Sequence, residues 1–307
     1  MSLGKAAIRG IVRFLARRRL TRSWLNTLYL GLRYPGLSRF HGAFWQVFRN
    51  ADQDAEPGEW HVKFMGRRIV MPLRREQFWL DWINAVSIVG HDIAIKQTYE
   101  QLLNSPFRPD LFIDIGANYG THSLLFLSQG IPACSFEPNP SCHGFLRACC
   151  AANGWKERIE GVAVGDAAGT IELCYPENET WLGSTDPGVQ KELEGKMQLK
   201  RQTVPLVRLD EYRSEFENRR LVLKIDVEGK EVEVLRGAQA TIAAHRPPIV
   251  FESWSSPQRA ALYDFFKAVN YQIMRLPWNS KRAQLPISRA EFLAEVEPNF
   301  IALSAVQ

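Results

Sequence analysis

Residues 111–120 read Leu-Phe-Ile-Asp-Ile-Gly-Ala-Asn-Tyr-Gly and run into Thr-His-Ser-Leu-Leu-Phe-Leu-Ser-Gln at 121–129. A short apolar strand ends at a glycine turn, and a helix starts directly behind it. Glycines at such a turn let a ligand approach the backbone, and the helix N-terminus offers free N–H groups. A dinucleotide site would ask for Gly-x-Gly-x-x-Gly with a pyrophosphate on that helix. Here Asn118 stands at the second glycine, and no Lys-Ser/Thr of a phosphate loop follows. The turn suits a ligand without a pyrophosphate, which disfavours an NAD(P)-dependent oxidoreductase. A plain tight turn would leave a similar trace.

Strands and helices alternate outward from this point. ACSFEP at 133–138 is a second strand, followed by a helix that ends at Gly154. RIEGVAVGD at 158–166 is a third. LVLKIDVEG at 221–229 is a fourth, and PPIVFES at 247–253 a fifth, each with a helix behind it. YQIMRLP and NFIALSA can pair at the end of the chain. The alternation implies an α/β fold, a mainly parallel sheet with helices on both faces. Residues 170–205 read as an irregular insertion with a strand or two. Before the alternation, 59–73 reads as a hairpin around Gly66, and 75–104 carries apolar residues at helical spacing. Residues 51–58 (ADQDAEPG) read as a linker. The organisation expected is therefore an extension and linker at 1–58, a hairpin and helical cap at 59–106, and a catalytic domain at 107–307.

The strand ends carry the candidate chemistry. Glu137 closes the second strand, 21 positions after Gly116, where a carboxylate can accept two hydrogen bonds from a ribose diol. A surface Glu beside Pro138 is the alternative. Asp166 ends the third strand and can meet an adenine amino group or simply sit in a turn. In the fourth strand Lys224, Asp226 and Glu228 share one side towards the carboxyl end. A central parallel strand should be apolar on both faces, so charges there must be paired or used. A structural ion pair of Lys224 with a carboxylate accounts for the same pattern. Glu252, ending the fifth strand, points towards the same crevice, where open α/β sheets bind ligands.

The 307 residues hold 38 Lys+Arg and 33 Asp+Glu, a formal +5, with 46% hydrophobic and 23% charged residues. The excess is local. Residues 1–40 hold nine basic residues and no acidic one, leaving 29 basic and 33 acidic residues in 41–307. The slightly acidic body argues against a nucleic-acid-binding surface. Lys5, Arg9, Arg13 and Arg17 fall on one helical face, and Ile8, Ile11, Val12 and Leu15 on the other. Such a helix can lie on an anionic membrane, or pack on the body with its arginines in solvent. No uninterrupted apolar run reaches the roughly 18 residues of a membrane span, and the arm lacks a signal-peptide pattern. The five cysteines form no CxxC pair and no zinc spacing, which suits free thiols in a reducing, cytoplasmic setting.

IDIGANYGTHSLLF, FEPNP, AVGD and above all LVLKIDVEGKEVEVLRGA, followed by PPIVFES, resemble the FkbM-type S-adenosylmethionine-dependent methyltransferases. The resemblance spans roughly 107–307. The KIDVEGxExxVLxG stretch is specific to that family, whereas the GANxG turn is shared by many methyltransferases. The resemblance implies a class I methyltransferase sheet with an antiparallel last strand and S-adenosyl-L-methionine as cofactor. It places Asp114, Gly116, Asn118 and Gly120, with Ala117 among them, around the methionine part. Glu137 would hold the ribose, and Asp166 would lie near adenine. Asp226 would lie near the methionine amino group or the transferred methyl. The segment around Trp181–Thr185 matches the family's variable Gly-Ser stretch only loosely.

Methylation of a hydroxyl on a carbohydrate, glycolipid or polyketide-like molecule is the expected activity. The alternatives are an N- or carboxyl-methyltransferase and an inactive methyltransferase-like scaffold. A hydroxyl acceptor benefits from a general base. Asp226, Glu228 or Glu252 is expected in that role, with Lys224 stabilising the developing alkoxide and His122 as a further candidate. Two hard carboxylates, Asp226 and Glu228, are too few to imply a metal, and none is expected.

Overall fold

The computed structural model describes residues 3–48, 55–176, 183–254, 258–282 and 284–305. Three helices come first: α1 (Leu3–Ala16), α2 (Arg19–Tyr29) and α3 (Tyr34–Phe48). A hairpin of β1 (Gly58–Phe64) and β2 (Arg67–Leu73) follows. Its turn residues Met65 and Gly66 both have positive φ, a two-residue turn whose twist matches the flanking strands. The helical stretch expected over 75–104 is two helices, α4 (Phe78–Gly90) and α5 (Ile93–Asn104), broken where Asp92 turns left-handed.

The α/β body then follows as β3 (Leu111–Ile115), α6 (Thr121–Ser128), β4 (Ala133–Phe136), α7 (Pro140–Asn153) and β5 (Ile159–Glu160). Next come β6 (Ala163–Val164), β7 (Gly169–Pro176), α8 (Pro187–Glu194) and β8 (Leu199–Val207). The chain ends through β9 (Leu221–Ile225), α9 (Glu231–Gly237), α10 (Gln239–His245), β10 (Ile249–Glu252), α11 (Gln258–Ala268), β11 (Tyr271–Arg275), α12 (Arg289–Ala294) and β12 (Asn299–Ser304). The main sheet has the order β11-β12-β10-β9-β3-β4-β5. It is parallel from β5 to β10, and β12 runs antiparallel to both neighbours. This is the class I methyltransferase arrangement. Every residue of β3 and β9 is buried, as central strands covered on both faces require.

Two elements differ from the sequence expectation. The run 158–166 is two strands, because the chain leaves the main sheet at Gly161. Only β5 stays in it; β6 joins a small sheet of order β6-β8-β7 built from the insertion. The N-terminal helix also sits the other way round. The guanidiniums of Arg9 and Arg13 turn inward and donate to Gln46 O and Val47 O, the latter at 2.6 Å. These are end carbonyls of α3, where a cation is favoured. Ile11, Val12, Phe14 and Leu15 of α1 face out. In α2, Arg22 is buried, donating to Ala16 O at 2.9 Å and Arg17 O at 2.8 Å, with Phe78 under its guanidinium.

The core does not stop at the cap. Phe44 and Phe48 of α3 pack on Trp82 and Trp79 of α4, with centroids 4.8 and 5.0 Å apart, and Trp60 of β1 lies 5.3 Å from Trp82. The same cluster continues through Phe112, Phe126 and Val222 to Ile301 in β12.

Candidate active site

A cavity of about 560 Å³ opens at the carboxyl ends of β3, β4 and β9. Its floor is the turn after β3. Gly116 N and Ala117 N donate to Phe136 O at 3.0 and 3.1 Å, and Asp226 N donates to Ile115 O at 3.0 Å. Gly116 has φ +75°, and a Cβ there would lie 1.8 Å from Asp226 O. Only glycine lets β3 and β9 close up at this point. Asn118, also at positive φ, keeps a buried side-chain oxygen without a hydrogen-bond partner.

Glu137 stands where the sequence placed it, at the end of β4. Its Oε2 accepts from Asn118 N and its Oε1 from Asn139 N, both at 2.7 Å. Burial pushes its carboxyl up to about 7 against these two donors. Each oxygen keeps a further lone pair for a ligand hydroxyl. Asp114 lies beneath the turn, fully buried. Its Oδ2 accepts from Ser123 Oγ at 2.7 Å, while its Oδ1 has no hydrogen-bond partner. Desolvation raises its pKa, and Lys224 works against the rise.

Ile115, Gly116, Ala117, Asn118, Glu137, Lys224, Asp226 and Glu228 all line the cavity. Asp114 and Gly120 support the turn from behind and do not line it. Gly120 is where α6 meets α7, because a Cβ there would fall 2.6 Å from Leu146 Cδ2. Asp166 is exposed behind β6 and away from the cavity lining. Val162, Ala163 and Val164, just before it, do line the cavity.

The acidic edge is more crowded than sequence proximity suggests. Lys224, buried, donates from Nζ to Asp226 Oδ2 at 2.8 Å. The sheet adds Glu252 from β10, so that Asp226, Glu228 and Glu252 each present an oxygen within 4.8 Å of the others. Carboxylates at that spacing share a proton or a cation. Here Lys224 supplies the facing positive charge. Desolvation, then Asp226 and Glu228, push Glu252 up to about 9. It is therefore protonated at neutral pH and bonded to Asp226. Desolvation and Asp226 raise Glu228 to about 7.

Glu228 and Gly229 both have positive φ, and Glu231 Oε1 accepts from Val227 N and Gly229 N at 3.3 and 3.2 Å, which fixes the turn. The insertion closes this side. Gly183 and Thr185 line the cavity, Ser184 Oγ donates to Glu228 O at 3.3 Å, and Asp186 pairs with Lys230 at 3.2 Å. Trp181 and Leu182 lie outside the described residues.

The opposite wall comes from the cap, which the motif reading left out. His41 and Trp45 of α3, Asn84 and Ser87 of α4, and Asp92 and Lys96 beside and within α5 all line the cavity. Lys96 is buried, and desolvation brings it down to about 8. Asp92 is held at about 2 despite desolvation by the His91 hydrogen bond and by Lys96. Asn84 Nδ2 is buried without a hydrogen-bond partner. A cation on the same helical stripe as Tyr99 and Leu103 was the available signal for Lys96. His122 also lines the cavity, with Nδ1 3.0 Å from the Tyr99 hydroxyl. Desolvation, Lys96 and Lys224 hold its pKa well below the usual histidine range.

These residues fit a nucleoside cofactor with a cationic tail. A backbone open to close approach, a carboxylate at the second strand and the unpartnered oxygen of Asn118 supply the required groups, with the buried Asp114 adding negative charge from beneath the turn.

The methyltransferase FkbM domain matches residues 114–273. The methyltransferase sdnD of Sordaria araneosa is 28% identical, over 59% of this chain and 83% of that protein. Two solved structures are more distant. Methyltransferase FkbM from Methylobacillus flagellatus KT is 13% identical with a TM-score of 0.41, and the match covers 88% of this chain and 60% of that one. A SAM-dependent methyltransferase from Agrobacterium tumefaciens is 7% identical with a TM-score of 0.42, covering 81% and 71%.

Proposed function

This chain belongs to the methyltransferase FkbM family, and from that premise we propose that it methylates a hydroxyl of a carbohydrate, glycolipid or polyketide-like small molecule. The family and fold imply S-adenosylmethionine as methyl donor. When bound, that cofactor supplies an electrophilic sulfonium methyl.

The observation that carries the hydroxyl reading is the acidic edge beside the Gly116 turn. An alcohol must lose its proton as its oxygen attacks, so it needs a base. Glu228, raised to about 7, is matched to that task near neutral pH. Asp226 is engaged by Lys224 Nζ at 2.8 Å, which suits it to anchoring. His122 is a weak base because its pKa is pushed down. A carboxylate acceptor would instead be repelled by this edge. In this reading Glu228 would take the proton that the hydroxyl loses as its oxygen is methylated, the leaving group being the sulfur, which would keep the electron pair of its bond to the methyl. Asn118 faces the cationic end of the cofactor, with Asp114 behind the turn adding negative charge from beneath, and Glu137 takes the ribose. The polar cap wall (His41, Asn84, Ser87, Asp92 and Lys96) orients the acceptor. Alignment by such a wall is itself worth several kcal/mol. The five buried free thiols support work in a reducing compartment such as the cytoplasm.

The test is mass spectrometry of small-molecule and lipid extracts incubated with the purified chain and methyl-deuterated S-adenosylmethionine. Label on an alcohol oxygen is expected. Label on nitrogen or a carboxylate would replace the O-methyl reading. No label, with no thermal shift from S-adenosylhomocysteine, would leave a scaffold.

A further inference from the structure

The packing of the N-terminal helices leaves an apolar surface that none of the described residues covers. In α1, Ile11 and Phe14 are each 61% exposed, with Leu15 beside them. In α2, Leu20 and Trp24 are each 78% exposed and Leu28 is 71% exposed. The second set recurs every fourth residue, so it forms one stripe along the helix. The polar residues that would normally occupy a solvent face point the other way: Arg22 and Asn26 are buried. Asn26 both donates to His61 O and accepts from His61 N, at 2.8 and 3.0 Å. α2 is thus held to the body by Arg22 and Asn26 together with Tyr29, and presents Leu20, Trp24 and Leu28. A face built this way is not a poorly packed core face, because the core side is already satisfied.

Charge identifies the occupant. Residues 1–40 hold nine basic residues and no acidic one. Arg18, Arg19, Arg33 and Arg39 remain exposed, Arg18 with Glu56 beside it at 3.2 Å. Two copies meeting through this face would bring both arginine sets together, which costs energy. An anionic bilayer attracts the cations and takes up the apolar side chains, Trp24 included, at its headgroup boundary. Neither helix is long and apolar enough to cross a membrane, so the element lies on the surface. We propose that α1 and α2 form a docking face for an anionic lipid bilayer. The face is one helix away from the cavity, since α3 meets α1 at its C-terminal end and lines the cavity with His41 and Trp45.

The test is co-sedimentation of the full chain with vesicles of phosphatidylcholine alone or with roughly a third phosphatidylglycerol. The full chain should pellet with the anionic vesicles and much less with the neutral ones. A Leu20→Gln, Trp24→Gln, Leu28→Gln variant removes exposed side chains only, so its circular dichroism and melting temperature should match the parent. Its partitioning should fall at least roughly tenfold. An Arg19→Gln, Arg33→Gln, Arg39→Gln variant should lose the preference for anionic vesicles. Equal pelleting of the parent and the first variant overturns the proposal. So does a parent that stays in the supernatant with both vesicle types. If, in that case, sedimentation equilibrium shows a dimer that the first variant breaks, the face belongs to a second copy of the chain.

Discussion

At the residue scale, two carboxylates with raised pKa values make the proposed roles measurable. Glu228 must be ionised to act as base. With its carboxyl at about 7, turnover on an identified acceptor should rise with pH through 7 and level off above it. Glu228→Gln should remove that rising limb and lower kcat by about 10²–10⁴. Asp226→Asn should also slow turnover, because Lys224 loses its partner. The limb should survive and move to lower pH, since a negative neighbour that raised Glu228 is gone. Loss of the limb in Asp226→Asn instead would make Asp226 the base. Glu137 gives a second test, one that needs no acceptor. A ribose diol donating to its carboxylate favours the ionised form, so cofactor binding should expel a proton held at pH below about 7. Affinity for S-adenosylhomocysteine, measured by calorimetry, should rise with pH up to about 7 and then stay flat. Glu137→Gln should flatten the slope; an unchanged slope would remove Glu137 from the ribose site.

At the element scale, two pieces of the family signature turn out to be one contact. Gly237, closing α9, faces Gly165 after β6, and a Cβ there would lie 1.8 Å from Gly165 O. The glycine of the Val-Leu-Arg-Gly run is needed so that α9 can lie against the small sheet. Gly237→Ala must push the two apart. It should cost about 1–3 kcal/mol, seen as a lower urea midpoint. An unchanged midpoint would show that the packing gives way freely. Much of this level was legible beforehand. The apolar runs of β3, β9 and β10, the turn at Gly116 and the acid ending β4 all announce themselves locally. What was not legible depends on partners far along the chain. Nothing around Gly161 says that the third strand switches sheets, nor that Val162, Ala163 and Val164 line the cavity while Asp166 does not. Periodicity likewise separates the two faces of α1 without saying which one is buried. The free carbonyls at the end of α3 decide that by drawing in Arg9 and Arg13.

At the scale of the whole molecule, the change of composition at 51–58 suggests that the extension is an appendage. The packing gives it a larger share. Trp60, Phe78, Trp79 and Trp82 lie in one aromatic cluster with Phe44 and Phe48, and those two phenylalanines come from α3. Spacing shows that each residue is apolar, but not that they meet, because the contacts span some forty positions. Fully exposing one large apolar side chain costs about 1.5–3 kcal/mol. Uncovering much of four would forfeit roughly 5–10 kcal/mol, comparable with the whole stability of a typical domain. Truncation would also remove two other supports. His41 and Trp45 would leave the cavity wall, and His61 in β1 would lose its hydrogen bonds to Asn26. A chain starting at residue 58 should therefore fail to give a cooperative urea transition by circular dichroism, although it keeps the entire family-matched region 114–273. A chain starting at residue 18 keeps α2 and α3 and should stay cooperative, with a lower midpoint because the ends of α3 lose Arg9 and Arg13. If the chain from residue 58 unfolded with the parent's midpoint, the first three helices would be a dispensable attachment and the cap wall of the cavity would have to form without them.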